Sequence, residues 1–225
     1  MKDVLLYDTT LRDGCQAEDV SFTLEDKLRI AAKLDELGID YIEGGYPGSN
    51  ERDADFFKRV KKLKLKKAKV ASFGTTMKVG IKPSQDFNLR VLLAADTPVV
   101  TLVGKTWDLH VRDDLRISQK ANLDIIGDSI AYMKKRVDEV IFDAEHFFDG
   151  FRANPDYAIE CLKAAQEGGA DWIVLCETNG GRLPGEIREA LTQVNRAVKT
   201  PLGIHCHNDG ELAVANTLAG VEMGV

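Results

Sequence analysis

Pro201-Leu202-Gly203-Ile204-His205-Cys206-His207-Asn208-Asp209 runs from an apolar strand pattern straight into two imidazoles spaced one residue apart. Side chains alternate across a strand, so His205 and His207 face one way and Cys206 the other, toward a helical layer where a free thiol behaves as a small hydrophobe. Two neutral imidazoles at a strand end suit a borderline divalent cation, but they leave its coordination short of at least one hard oxygen donor. Asp13, at the opposite end of the chain, is the candidate for that donor. The same pair would also fit as packing in a barrel mouth, and the rest of the sequence has to weigh the two readings.

Upstream of this strand, short apolar segments alternate with longer amphipathic ones. The pattern predicts parallel strands near residues 3–7, 41–43, 69–73, 99–103, 139–143, 172–176 and 202–205, joined by right-handed helical crossovers. Thr23 before Leu24-Glu25-Asp26 reads as a helix cap with acid in the first turn, and Gly38 as the stop; Leu24, Leu28, Ala31, Leu34 and Leu37 form the expected buried stripe. Seven such units fit either an open doubly wound sheet or a TIM-type (β/α)8 barrel. An open sheet gathers its ligand at one switch point, whereas here chemical side chains follow nearly every strand: residues 8–13, Glu43, residues 105–110, Glu145, Thr178 and residues 205–207. All four histidines, His110, His146, His205 and His207, fall just past a predicted strand. The expectation is therefore an α/β chain of the TIM-barrel type with its site at the carboxyl face of the strands.

Such a barrel uses about 250 residues and closes with an eighth unit. Residues 211–223 supply a seventh helix, and nothing is left for strand eight. One catalytic barrel domain over residues 1–225 is expected, without the eighth unit and without a regulatory domain. Two strand spacings of about 4.8 Å would then separate the His-x-His strand from the strand that carries Asp13. Unpaired edges on the first and seventh strands favour association, and a homodimer is the expected assembly.

With 225 residues and 44% hydrophobic content, the chain can bury one sizeable core. A net charge of -6 and a pI near 5.3 argue against a nucleic-acid surface. The opening Met1-Lys2-Asp3-Val4-Leu5-Leu6-Tyr7-Asp8 is charged within three residues and apolar for only four, so neither a secretory segment nor a membrane span is expected there. That reading makes the protein cytoplasmic, with no membrane partner. Cys15, Cys161, Cys176 and Cys206 are dispersed, which predicts reduced thiols rather than disulfides or a structural zinc knuckle. The lysine-rich stretch at residues 58–69 reads as a solvated helix face and its exit.

Asp8-Thr9-Thr10-Leu11-Arg12-Asp13-Gly14-Cys15-Gln16, together with His205-Cys206-His207-Asn208-Asp209, resembles the DRE-TIM metallolyases. That family comprises isopropylmalate, homocitrate and citramalate synthases and hydroxymethylglutaryl-CoA lyase. Tyr41-Ile42-Glu43-Gly44-Gly45-Tyr46-Pro47-Gly48, Gly104-Lys105-Thr106-Trp107-Asp108 and Asp143-Ala144-Glu145-His146-Phe147-Phe148-Asp149-Gly150 are most similar to the long-form citramalate synthases. The resemblance implies a Claisen-type condensation in which acetyl-CoA, as co-substrate, adds to the carbonyl of a 2-oxo acid before the thioester is hydrolysed. Pyruvate, giving (R)-citramalate for branched-chain amino-acid synthesis, is the leading expectation. The alternatives are an isopropylmalate or homocitrate synthase, a carbon–carbon lyase of the HMG-CoA type, or a truncated barrel without activity.

The resemblance also implies roles. Asp13, His205 and His207 would hold Mn2+, Mg2+ or Zn2+, with a further asparagine ligand that this chain does not supply. Arg12 would stabilise the developing alkoxide, a task suited to a fixed cationic fork, with Glu43 orienting it; without the motif the two read equally well as a structural ion pair. Glu145 would hydrogen-bond the substrate or shuttle a proton, against a bland reading as a solvated acid. Thr178 would donate to the oxo-acid carboxylate, against a bland reading as a turn residue. Asp143 shares the inward face with Glu145 and would line the substrate pocket. His110 would contact acetyl-CoA or transfer a proton. His146 reads as packing or support, and no residue is assigned as the general base.

Overall fold

The computed structural model describes residues 4–225. Seven parallel strands form one sheet in sequential order: β1 (Tyr7–Asp8), β2 (Tyr41–Glu43), β3 (Lys69–Thr75), β4 (Val99–Lys105), β5 (Glu139–Glu145), β6 (Trp172–Glu177) and β7 (Leu202–Cys206). Between them run α1 (Leu24–Leu37), α2 (Glu51–Val60), α3 (Phe87–Ala95), α4 (Asp108–His110), α5 (Gln119–Lys134), α6 (Phe147–Ala153), α7 (Pro155–Gly168) and α8 (Pro184–Ala197), and α9 (Ala213–Glu222) follows β7. Each strand pairs with its sequence neighbour, as expected when every crossover is a helix packed on one face of the sheet. No eighth strand occurs among the described residues.

The period of two in each strand sorts the side chains into two rows. The outward row, including Val100, Leu102, Val140, Phe142, Ile173 and Leu175, is buried against the helices as the main core. Toward its amino end the inward row holds an apolar layer, where Tyr41, Ala71, Val99 and Ile141 cluster with Tyr7 and Trp172, beside an ion pair between the inward Lys69 and Glu139. It becomes polar at the carboxyl end, where Lys105 pairs in register with Glu145 and Cys176 with His205. Chemistry therefore collects at one rim of the sheet.

Helix α1 forms where its signals lie. The Thr23 hydroxyl accepts from the Asp26 N–H, the Asp26 carboxylate accepts from the Thr23 N–H, and Gly38 closes the helix at φ 91°. Its stripe differs from the expected one at Leu37, which is 76% exposed. Six residues past Ala31 the helix has turned about 120° away from the buried face. Lys27 occupies that face instead, 1% exposed and paired with Asp53 at 2.7 Å.

The first strand also differs from expectation. Asp3 lies outside the described residues, and Val4, Leu5 and Leu6 are exposed and outside the strand, which is confined to Tyr7–Asp8. Only the β2 side gives this segment backbone partners: the Leu6 carbonyl accepts from the Asp40 and Tyr41 N–H groups. Strands β3, β4 and β5 run two residues past their predicted ends, because alternation persists through Thr75, Lys105 and Glu145. All four cysteines are free thiols. No helix among the described residues is long and apolar enough to cross a membrane.

Candidate functional site

Asp13 sits in the turn after β1, where the Arg12, Asp13 and Gly14 N–H groups all donate to the Thr9 carbonyl and fold the chain back over the rim. Across the rim, His205 closes β7 and His207 follows it. One oxygen, Asp13 Oδ2, lies 3.3 Å from His205 Nε2 and 3.3 Å from His207 Nε2. β1 and β7 share no backbone pairing, so this contact requires the seven-stranded sheet to curl into a partial barrel. The gap between the two strands holds a cavity of about 370 Å³, lined by Tyr7, Asp143, Val174, Ile204 and His205 among others.

The electrostatics of the triad follow from that proximity. Hydrogen bonding from His205 holds the Asp13 carboxyl down at about 2, aided by Arg12. Burial disfavours a charged His205 ring, but the bond to Asp13 together with the negative charge of Asp143, Asp13 and Glu43 outweighs it and raises the ring's value. Asp13, His205 and His207 offer one carboxylate oxygen and two imidazole nitrogens within 4.8 Å of one another, a donor set that fits a borderline divalent cation. Asp143, Cys176 and His205 form a second close group, also within 4.8 Å, on the inner wall just below. Asp143 is 6% exposed, and burial raises its carboxyl to about 6.

Arg12 is held from three sides. Its Nε donates to Glu43 at 2.9 Å, its guanidinium approaches Asp13 at 3.3 Å, and its plane lies 3.9 Å over the Phe73 ring. Glu43 is fully buried at the end of β2, where burial pushes its carboxyl up to about 7 against the opposing pull of Arg12. One of its oxygens, Oε1, has no partner among the described residues. The fork is thus held by Glu43 at Nε, by Asp13 at one terminal nitrogen and by the Phe73 ring under its plane.

The remaining candidates occupy the β4–β6 side. Glu145 pairs with Lys105 at 2.7 Å, and Thr178 follows β6, its hydroxyl oxygen accepting the His146 backbone N–H at 2.9 Å. His110 does not join the Asp13 triad. It packs against Trp107 and, edge-on, against His146, with ring centroids 4.8 and 4.6 Å away. Burial, followed by the neighbouring His146 and Lys105, lowers the His110 ring below its ordinary value, and its Nδ1 is buried without a partner among the described residues.

Sequence reasoning missed Phe73 and Cys176 as neighbours of the site, and placed Lys105 among the chemical side chains past the fourth predicted strand without a partner. Their inward parity on β3, β4 and β6 was available from alternation alone; which of them face one another depends on register. It also missed Asp149, Asn179 and Arg182, which sit in a helix and a loop where parity gives no guide.

Comparison with known proteins places this architecture in context. The HMGL-like family matches residues 3–225. An (R)-citramalate synthase of Geobacter sulfurreducens is 58% identical over 225 residues, covering all of this chain and 43% of that protein. Homocitrate synthase AksA of Methanopyrus kandleri is 36% identical over 222 residues, covering 99% of this chain and 53% of that protein. The chain thus spans about half or less of the length of these curated relatives. A hydroxymethylglutaryl-CoA lyase from Pseudomonas aeruginosa superposes with a TM-score of 0.80 at 20% identity, covering all of this chain and 74% of that one, which establishes a shared TIM-type barrel fold. By the match along its length, this chain belongs to the HMGL-like family.

Proposed function

We propose that this chain carries the catalytic face of a metal-dependent synthase that condenses acetyl-CoA with a 2-oxo acid, and that the oxo acid is pyruvate, giving (R)-citramalate. The observation that carries the reading is the single Asp13 oxygen within 3.3 Å of both imidazoles, contributed from opposite ends of the chain. The choice of pyruvate draws its support from five relatives named (R)-citramalate synthase, at 44–58% identity. Relatives named homocitrate and 2-isopropylmalate synthase stand at 36–37%.

Asp13, His205 and His207 would hold the cation, whose chemistry when bound is Lewis-acid polarisation of the oxo-acid carbonyl. Arg12, pinned by Glu43 and Phe73, presents fixed N–H donors to the oxygen that becomes an alkoxide when the acetyl methyl carbon, having given up one proton to a base, bonds to C2; the alkoxide then takes up a proton to become the product hydroxyl. Because the fork is already ordered, little reorganisation accompanies the developing charge. Glu145, steadied by Lys105, stands at the same rim in reach of a substrate hydroxyl. Thr178 offers a hydroxyl donor for the oxo-acid carboxylate. Water then cleaves the thioester and CoA leaves.

The test is thiol release from acetyl-CoA in the presence of Mn2+ and a 2-oxo acid, measured on the intact protein. Pyruvate-dependent release is expected, and Asp13→Asn should lower it by at least about a hundredfold. Release with 3-methyl-2-oxobutanoate or 2-oxoglutarate alone would replace pyruvate in this reading. Release with none of the three would overturn it.

A further inference from the structure

His146 is the conspicuous group that the mechanism above leaves unused. Of the six non-glycine residues with positive φ among the described residues, five lie on exposed turns, and His146, at φ 54° and ψ 32°, is the exception. Left-handed geometry is uncommon outside glycine, though histidine tolerates it better than most, and residues held in it by their surroundings cluster at functional sites. The enforcement is visible. His146 Nδ1 lies 3.2 Å from Asp149 Oδ2, the same oxygen accepts from Asn179 Nδ2 at 2.8 Å, and Asp149 Oδ1 accepts from Arg182 at 2.6 Å. Asp149 is only 6% exposed, and His110 packs edge-on against the His146 ring.

The left-handed turn directs the His146 backbone N–H to Thr178 Oγ1 at 2.9 Å. Asn179 and Arg182 lie on the same loop as Thr178, so the loop after β6 is tied to His146 and α6 by three hydrogen bonds. A threonine hydroxyl that accepts one N–H still has its proton to give. Among the described residues that proton finds no acceptor, and Thr178 is only partly covered.

We propose that His146 is a positioning residue for the oxo-acid carboxylate: its enforced left-handed backbone fixes the Thr178 hydroxyl by donating to the oxygen, which leaves the hydroxyl proton aimed at the substrate. This deepens the function proposed above and rests on its assignment of Thr178 as a carboxylate donor. The ring serves as the anchor that holds the backbone, and the backbone N–H is the working group.

The experiment is a double-mutant cycle on the intact, Mn2+-loaded protein. It reads the dissociation constant by calorimetry for whichever of pyruvate, 2-oxobutyrate and 3-methyl-2-oxobutanoate binds the unaltered protein most tightly. Thr178→Val should weaken binding about tenfold, the loss of one hydrogen bond to a charged group. His146→Val, whose branched Cβ disfavours left-handed backbone, should weaken it by about as much, and the double variant should be no weaker than either single one. His146→Asn lacks the ring but tolerates the left-handed region, so it should stay within about twofold of the unaltered protein. If the valine variant does not fold, His146→Ala takes its place. Multiplicative losses in the double variant, or equal losses for valine and asparagine at residue 146, would overturn the inference. A Thr178→Val loss with no His146→Val loss would overturn it while leaving the carboxylate role of Thr178 standing. No loss in Thr178→Val would remove both.

Discussion

Asp149 carries its charge in a nearly closed site, and its environment sets the direction of a pH effect. Burial by itself would raise its carboxyl, but bonds from His146 and Arg182 outweigh burial and hold it below the ordinary value. A depressed folded value means that the group stabilises the fold above its unfolded value of about 4, and that this contribution disappears as pH falls through the lower folded value. Asp149→Asn should therefore cost about 2 kcal/mol at pH 7, by removing one of the two carboxylates that pair with the half-buried Arg182 and leaving it only Glu186, and should flatten the decline of stability below about pH 5. Urea unfolding midpoints for both proteins between pH 2 and 6 give the check; parallel curves would contradict it. Residue by residue, the sequence disclosed Asp13, His205 and His207 through strand parity and motif. It did not disclose Asp149, because a carboxylate in a helix acquires its meaning only from the Arg182 and Asn179 groups that another loop delivers to it.

Elements approach one another as closely as their side chains permit, and α6 lies unusually near the loop that joins β4 to α4. A Cβ on Gly150 would stand 2.5 Å from the Thr106 carbonyl oxygen and 2.9 Å from the Trp107 Cα, both backbone atoms that cannot swing aside. Gly150→Ala should then destabilise by about 2 kcal/mol and lower Tm by roughly 4–8 °C in scanning calorimetry. Gly185, in α8 with open space around it, is the contrasting site, where alanine should be neutral or mildly stabilising. Equal effects at the two glycines would show that the close approach does not matter. Apart from the first strand, strand positions and the caps of α1 were readable because local chemistry sets them. The short α4 and α6 were not, because they depend on how helices settle against the rim; the outward turn of Leu37, by contrast, follows from the helical period and was open to reading.

Across the whole molecule, the candidate cation site joins the turn after the first strand to the end of the last. Ligand binding that requires this closure must stabilise the folded chain by mass action. Mn2+ at about a hundred times its dissociation constant should add about 2.7 kcal/mol and raise Tm by roughly 5–10 °C, with EDTA reversing the gain and Asp13→Ala abolishing it. An unchanged melt, with metal bound elsewhere, would contradict that linkage. Alternating apolar and amphipathic segments dictated, without any coordinates, a parallel sheet wrapped by helices, and parity along each strand dictated which side chains face inward, since both follow from backbone periods of 2 and 3.6 residues. Tertiary structure alone decided that the sheet curls far enough to bring Asp13 to both imidazoles without an intervening strand, that Lys105 meets Glu145, and that His146 is held left-handed beneath Thr178. Those are contacts between distant segments, fixed by register, curvature and the packing of one loop on another, for which no local stretch of sequence carries a signal.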